Sequence, residues 1–217
     1  MSTPIVPAVI PSSKDEVLRV CKEFAFTNEI QIDVVDGEFV KAVSWPYSPA
    51  GEPISVKPFT DAYTLEVDLM VANPILAARD WIKAGADMLV FHIEGIGLEV
   101  FKNFAENTTV SVGVSMSGDT KMEDFLPYVA IADYVQLMGI ESIGAQGQPF
   151  DEKVLDNIQY LRKEFPGKLI SIDGSVNKET IRRLKEAGAT RFVSGSAIVK
   201  ADNPEEAFKH LNSLVNG

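Results

Sequence analysis

The sequence predicts a closed (β/α)8 barrel, a TIM barrel, and three observations predict it. Short apolar, strand-like runs alternate with helices of amphipathic spacing or long connections, the pattern of a parallel sheet covered by helices. Eight such units fit in 217 residues, which favours closure over an open doubly wound sheet. One joint also recurs: "IKAGADMLVFH" (82–92) and "KEAGATRFVSG" (185–195) each end a helix at Ala-Gly and enter a strand at once, with Gly as a left-handed cap.

The elements follow in order. "PIVPAVI" (4–10) is the first strand. "SKDEVLRVCKEFAF" (13–26) has Val17, Leu18, Val20, Cys21 and Phe24 at helical spacing, and Ser13 with Glu16 reads as a capping box. "EIQIDVV" (29–35) is the second strand. Residues 37–63 carry Pro46, Pro49, Pro53 and Pro58 and read as a long connection, either plain with a short helix inside or functional. Then come the strand "TLEVDLMV" and the helix "PILAARDWIKAG", opened by Asn73-Pro74. "ADMLVFHI" pairs with "GLEVFKNFAEN", and "TTVSVGVS" with "KMEDFLPYVA". "ADYVQLMGI" is followed by the loop "SIGAQGQPF" and the helix "DEKVLDNIQYLRKEFPG". "KLISIDG" precedes "NKETIRRLKEAG", and "TRFVSGS" precedes "NPEEAFKHLNSLV". No linker or low-complexity segment interrupts this alternation, so one domain over 1–217 is expected.

Composition narrows the function classes. Hydrophobic residues are 46% and charged residues 24%, as in a globular protein with a substantial core. A net charge of −11 argues against nucleic-acid binding, which needs clustered Lys and Arg. No apolar run is long enough to span a bilayer, and the first residues lack a basic, unbroken apolar leader, so neither a membrane nor a signal peptide is expected. Cys21 stands alone, which fits a reducing cytoplasm, and reads as a small core residue.

Active sites of this fold lie at the C-terminal ends of the strands. There the sequence places Asp33, Asp68, His92 and Asp173, on strands two, three, four and seven. Gln31 and Asp33, two apart, share one face, taken as inward; Asp36 faces the other way and is expected to brace a loop. Converging carboxylates either share a divalent cation or divide into an acid and a base; otherwise they cap loops. Gly174, Ser175, Gly195 and Ser196 follow strands seven and eight, where barrels bind phosphate through backbone N–H groups. "GAQGQPF" (144–150), with Gly147, is expected to close over the same group. His210 is expected at the surface or in packing.

The chain resembles the ribulose-phosphate 3-epimerase family. "QIDVVDGEFV" is similar to the family's His-x-Asp-Val-Met-Asp-Gly-x-Phe-Val, and "EVDLMVANP" to its Asp-Val-His-Leu-Met-Val-x-x-Pro. "AGADMLVFHIE", "GQPF", "IDGSVN" and "AGATRFVSGSAI" follow in order. The resemblance implies epimerisation at C3 of a ketopentose 5-phosphate through an enediolate. Asp33 and Asp173 are the implied acid and base. Met70 and Met138 cap the site, with the third capping position at Val35. The phosphate loops are those at Gly174, Ser175, Gly195 and Ser196, and a homodimer is implied.

The chain departs from the family at the metal. The two family histidines are replaced by Gln31 and Asp68. The resulting set of Gln31, Asp33, Asp68 and Asp173 is all oxygen and suits Mg2+ or Mn2+ over Zn2+, or no ion. The family's early Ser is Ala8, its second glycine after the strand-seven Asp is Ser175, and the strand-six loop reads "IESIGAQG". Two alternatives stay open. One is a lyase or decarboxylase of a ketose phosphate, although the Asp-x-Lys-x-x-Asp motif of such relatives is missing its Lys. The other is a non-catalytic sugar-phosphate-binding protein.

Overall fold

The computed structural model describes residues 4–144 and 147–216. Its eight parallel strands are β1 (Ile5–Val9), β2 (Glu29–Val35), β3 (Thr64–Met70), β4 (Met88–His92), β5 (Ser111–Ser115), β6 (Tyr134–Met138), β7 (Leu169–Asp173) and β8 (Arg191–Ser194). Each pairs with the next and β8 returns to β1, so the sheet closes as the alternation predicted. The surrounding helices are α1 (Lys14–Glu23), the single turn α2 (Lys57–Thr60), α3 (Pro74–Lys83), α4 (Leu98–Glu106), α5 (Met122–Ile131), α6 (Lys153–Glu164), α7 (Ile181–Ala187), the single turn α8 (Ser196–Val199) and α9 (Pro204–Asn216).

The strands alternate between two unlike faces. Ile30, Ile32, Val67, Leu69, Phe91, Val114, Ile172 and Phe192 turn outward and merge with Val20, Trp81, Phe101, Phe125, Ile158 and Leu184 of the helices into one buried apolar layer. Each such side chain contributes about 1.5–3 kcal/mol on leaving water, so this layer holds the barrel closed. The inward positions are mostly polar. Gln31, Asp33, Glu66, Asp68, His92, Ser115, Gln136, Ser171 and Arg191 are all buried. Val6, Ala8 and Val193 form a small apolar cluster of their own.

The recurrent helix–strand joint behaves as expected. Gly85 and Gly188 sit at φ 97° and 117°, which only glycine adopts without penalty. The residue entering the next strand then caps its neighbour. Asp87 accepts from the Leu65 N–H at 2.9 Å, and the Thr190 hydroxyl from the Ile170 N–H at 3.3 Å.

Local details differ from the sequence reading at two places. The Ser13 hydroxyl does accept from the Glu16 N–H, but the Glu16 carboxylate accepts from the N–H and hydroxyl of Ser12 rather than Ser13. The helix expected from 177 starts at Ile181, because Asn177 Oδ1 takes the N–H groups of Glu179 and Thr180 in a turn. The 37–63 connection holds a short helix, as the sequence allowed. It pairs Asp36 with Val43, buries Trp45 edge-on against Trp81, and ends in a 3-10 turn (Pro53–Val56) and α2. Cys21 packs against the apolar layer, where burial pushes its thiol up to about 11, and His210 is exposed.

Candidate active site

Strand register brings the expected carboxylates together. Asp33 pairs in register with Asp68 across β2–β3, and Asp173 ends β7. Oxygens of Asp33, Asp68 and Asp173 lie within 4.8 Å of one another. Gln31, two residues below Asp33 on the same face, donates from Nε2 to Asp33 Oδ1 at 2.8 Å and Asp173 Oδ2 at 2.7 Å. Asp68 is held from its other side: His92 Nε2 meets Oδ1 at 2.8 Å, and Gln136 Nε2 donates to Oδ2 at 2.9 Å.

Concentrating charge this way shifts protonation. Burial, then the Asp173 and Asp68 carboxylates, hold Asp33 well above the ordinary carboxyl range despite the Gln31 hydrogen bond. Burial and the Asp68 charge raise Asp173 to about 7, against hydrogen bonds from Gln31 and the Gly174 N–H. At His92 burial favours the neutral ring, but the adjacent Asp68 carboxylate outweighs it and the pKa is raised. Asp36 behaves oppositely. It accepts from the N–H groups of Glu38, Phe39 and Ala72, bracing the loop as expected; burial raises its carboxyl, but these bonds outweigh it and the net shift is downward.

Above these carboxylates opens a cavity of about 230 Å3. Asp33 and Asp173 form its floor and Met70 and Met138 its walls. Gly147, Gly174, Ser175, Gly195 and Ser196 line it as well, so the expected site residues share one space. Gln31, Asp68 and Val35 are buried and do not line the cavity. Within the strand-six loop, Ala145 and Gln146 fall outside the described residues.

Some participants were not singled out from the sequence. Gln136 was read only as strand, yet it clasps Asp68. Ile10, Ile140, Gln148 and Asn177 also line the cavity. An inward polar residue two before Met138 was the available signal for Gln136.

The donor set fits a hard cation. Three carboxylates could hold a metal ion, and the Gln31 Oε1 is buried without a protein partner. A half-turn of that amide exchanges its N–H for its oxygen toward Asp33 and Asp173. Among the described residues the group that could hold an ion is all carboxylate, and the His92 Nε2 is turned to Asp68.

Residues 2–199 match the sequence model of the ribulose-phosphate 3 epimerase family. The chain belongs to this family. It is 32% identical over 192 residues to the ribulose-phosphate 3-epimerase of Schizosaccharomyces pombe, covering 86% of this chain and 81% of that one. With the ribulose-phosphate 3-epimerase of Mycobacterium bovis it shares 30% over 217 residues, covering 95% and 90%. Among solved structures, a 3-hexulose-6-phosphate synthase superimposes with TM-score 0.73 at 20% identity, over 97% of this chain and 99% of that one. A 3-keto-L-gulonate-6-phosphate decarboxylase from Vibrio cholerae does so with TM-score 0.70 at 17%, over 98% of both. These two likenesses concern the barrel alone. β3 holds no lysine.

Proposed function

We propose that the whole chain, as one domain, is an isomerase that epimerises a ketopentose 5-phosphate at C3, with ribulose 5-phosphate the first substrate to test. One observation carries this: two carboxyls with raised pKa values, Asp33 and Asp173, share one cavity floor opposite glycine-rich loops. The relatives' names and the family match support the same reading.

The chemistry follows from that pair. Burial and mutual repulsion favour one proton on Asp33 and Asp173 together rather than none, against the Gln31 hydrogen bonds to both. The ionised member takes the proton from C3, and the electron pair moves into the carbonyl at C2 to give an enediolate. The protonated member returns a proton to C3 from the opposite face, so the configuration inverts and the pair ends with its proton exchanged. Met70 and Met138 exclude water along the walls. The backbone of Gly174, Ser175, Gly195 and Ser196, with Gly147 closing over them, receives the phosphate; on a chain of net charge −11, local N–H groups must supply what the surface does not.

A bound divalent cation would supply positive charge beside the enediolate oxygens. Asp33, Asp68, Asp173 and the Gln31 oxygen would hold it, and their hard donor set favours Mg2+ or Mn2+ over Zn2+. A cytoplasmic setting fits the lone Cys21, and no helix among the described residues is long and apolar enough to cross a membrane. A homodimer is the assembly to test.

The experiment is solvent exchange: in D2O the purified protein should place deuterium at C3 of ribulose 5-phosphate, and Asp33→Asn or Asp173→Asn should stop it. Wild-type protein that binds sugar phosphates yet exchanges nothing at C3 would leave only a binding function.

A further inference from the structure

The strand-seven loop contains the only non-glycine residue with positive φ among the described residues. Ser175 sits at φ 52°, where L-residues are crowded and glycine is the ordinary occupant. The conformation is enforced. The Ser175 carbonyl accepts from Asn177 Nδ2 at 3.1 Å and from the Thr180 hydroxyl, and Gly174 before it is also left-handed. In that conformation the Ser175 hydroxyl donates to the backbone carbonyl of Gln148, across the cavity mouth in the strand-six loop. One such backbone penalty is about as large as the net return of one hydrogen bond, so the pair gives little stability. What it fixes is position.

Among its described residues the strand-six loop has few other ties. Its ends meet where the Asp151 N–H donates to the Gly139 carbonyl at 2.9 Å, and Gly139 is fastened to Asp173 at 2.7 Å. At the outer end, a Cβ on Gly144 would stand 2.7 Å from Val40 Cγ2, so the 37–63 connection abuts the loop there. Between these, Gln148 lines the cavity beside Gly147 and Ser175.

We propose that Ser175 is a positioning residue whose hydroxyl staples the strand-six loop, at Gln148, over the phosphate end of the cavity. The staple rests on the epimerase reading for its purpose but not for its existence. It gives the Ser175 side chain a task other than binding phosphate and leaves the backbone N–H groups to the anion. A loop held down before substrate arrives loses less freedom on binding, so the staple acts on affinity more than on turnover.

The test compares Ser175→Gly, which removes hydroxyl and backbone strain together, with Ser175→Ala, which removes the hydroxyl alone. Backbone 15N order parameters of Gly147 and Gln148 in the free protein should be near the rigid value of about 0.85 in wild type and fall below about 0.6 in both variants. The KM for ribulose 5-phosphate should rise about tenfold, what one lost hydrogen bond accounts for, and more than kcat falls. Ser175→Gly should melt within a few degrees of wild type, because strain and bond leave together. Unchanged loop order in both variants overturns the staple. So does weaker binding of inorganic phosphate by Ser175→Ala with the loop still rigid, which would make the hydroxyl a phosphate ligand. If wild type shows no epimerase activity while loop order falls as stated, the epimerase reading fails and the staple stands.

Discussion

The barrel interior buries carboxylates at two levels, and the levels are resolved in opposite ways. Toward the N-terminal ends of the strands, Glu66 receives Arg191 Nη1 at 2.5 Å and the Tyr134 hydroxyl at 2.6 Å. Arg191 Nη2 also lies 3.7 Å from Glu29, and its Nη1 is 3.4 Å from the Ser171 hydroxyl. A permanent cation faces these carboxylates, and both Glu66 oxygens are engaged. Two residues further along each strand, Asp33, Asp68 and Asp173 share amide N–H groups and one imidazole. Among the described residues no arginine or lysine enters that level, and four polar atoms around it, on Gln31, His92, Ser115 and Gln136, have no protein partner. A buried charge that is fully paired fixes structure; one left under-compensated keeps a proton near neutrality and is available for chemistry.

The largest effect should come from the upper level. Asp33→Asn or Asp173→Asn should lower kcat for C3 exchange by about 10^4, roughly 5.5 kcal/mol, with the fold intact by circular dichroism. A loss below tenfold in either variant would remove that residue from the proton transfer. The lower level should respond in stability instead. Arg191→Met strands Glu66 without its cation and should cost about 3–5 kcal/mol, lowering Tm by about 10 °C, while protein still folded keeps most of its turnover. An unchanged Tm would dissolve the contrast.

Metal comes next. For chelator-treated protein, Mn2+ or Mg2+ at a hundredfold over its dissociation constant should stabilise by about 2.7 kcal/mol, and Asp68→Asn should weaken that response. Zn2+ outperforming both would contradict the all-oxygen donor set. The smallest effect concerns pH. Asp173 keeps its proton to about 7 when folded, against 3.8 as its ordinary value. The folded state therefore binds this proton more tightly, and stability falls as pH rises from about 4 to 7, then levels. Asn at 173 carries no such loss, so metal-free Asp173→Asn should gain stability on wild type as pH rises from about 4 to 7. A difference that does not change with pH would contradict the raised pKa.

The two levels also differ in how legible they were. Asp33, Asp68 and Asp173 stand at strand ends, where the fold localises function, and the glycine pairs after β7 and β8 mark the opposite end of the cavity. Period and position sufficed for both. The Glu66–Arg191 pair was not visible, because a charged residue inside a strand pattern does not announce which distant strand supplies its partner; 125 residues separate the two. Gln136 was missed for the same reason, its contact with Asp68 lying 68 residues away. The strand-six loop was expected to close over the phosphate, but its tie to Ser175 depends on a backbone angle, which residue type alone disguised.

The two-group mechanism is tested most directly by following C3 at early times, with ribulose 5-phosphate converted in D2O under initial-rate conditions. Two carboxyls on opposite faces predict one deuterium at C3 of every product molecule and none in the remaining substrate. Product that retains its original C3 hydrogen would mean a single group carries the proton across, and the division of labour between Asp33 and Asp173 would be wrong.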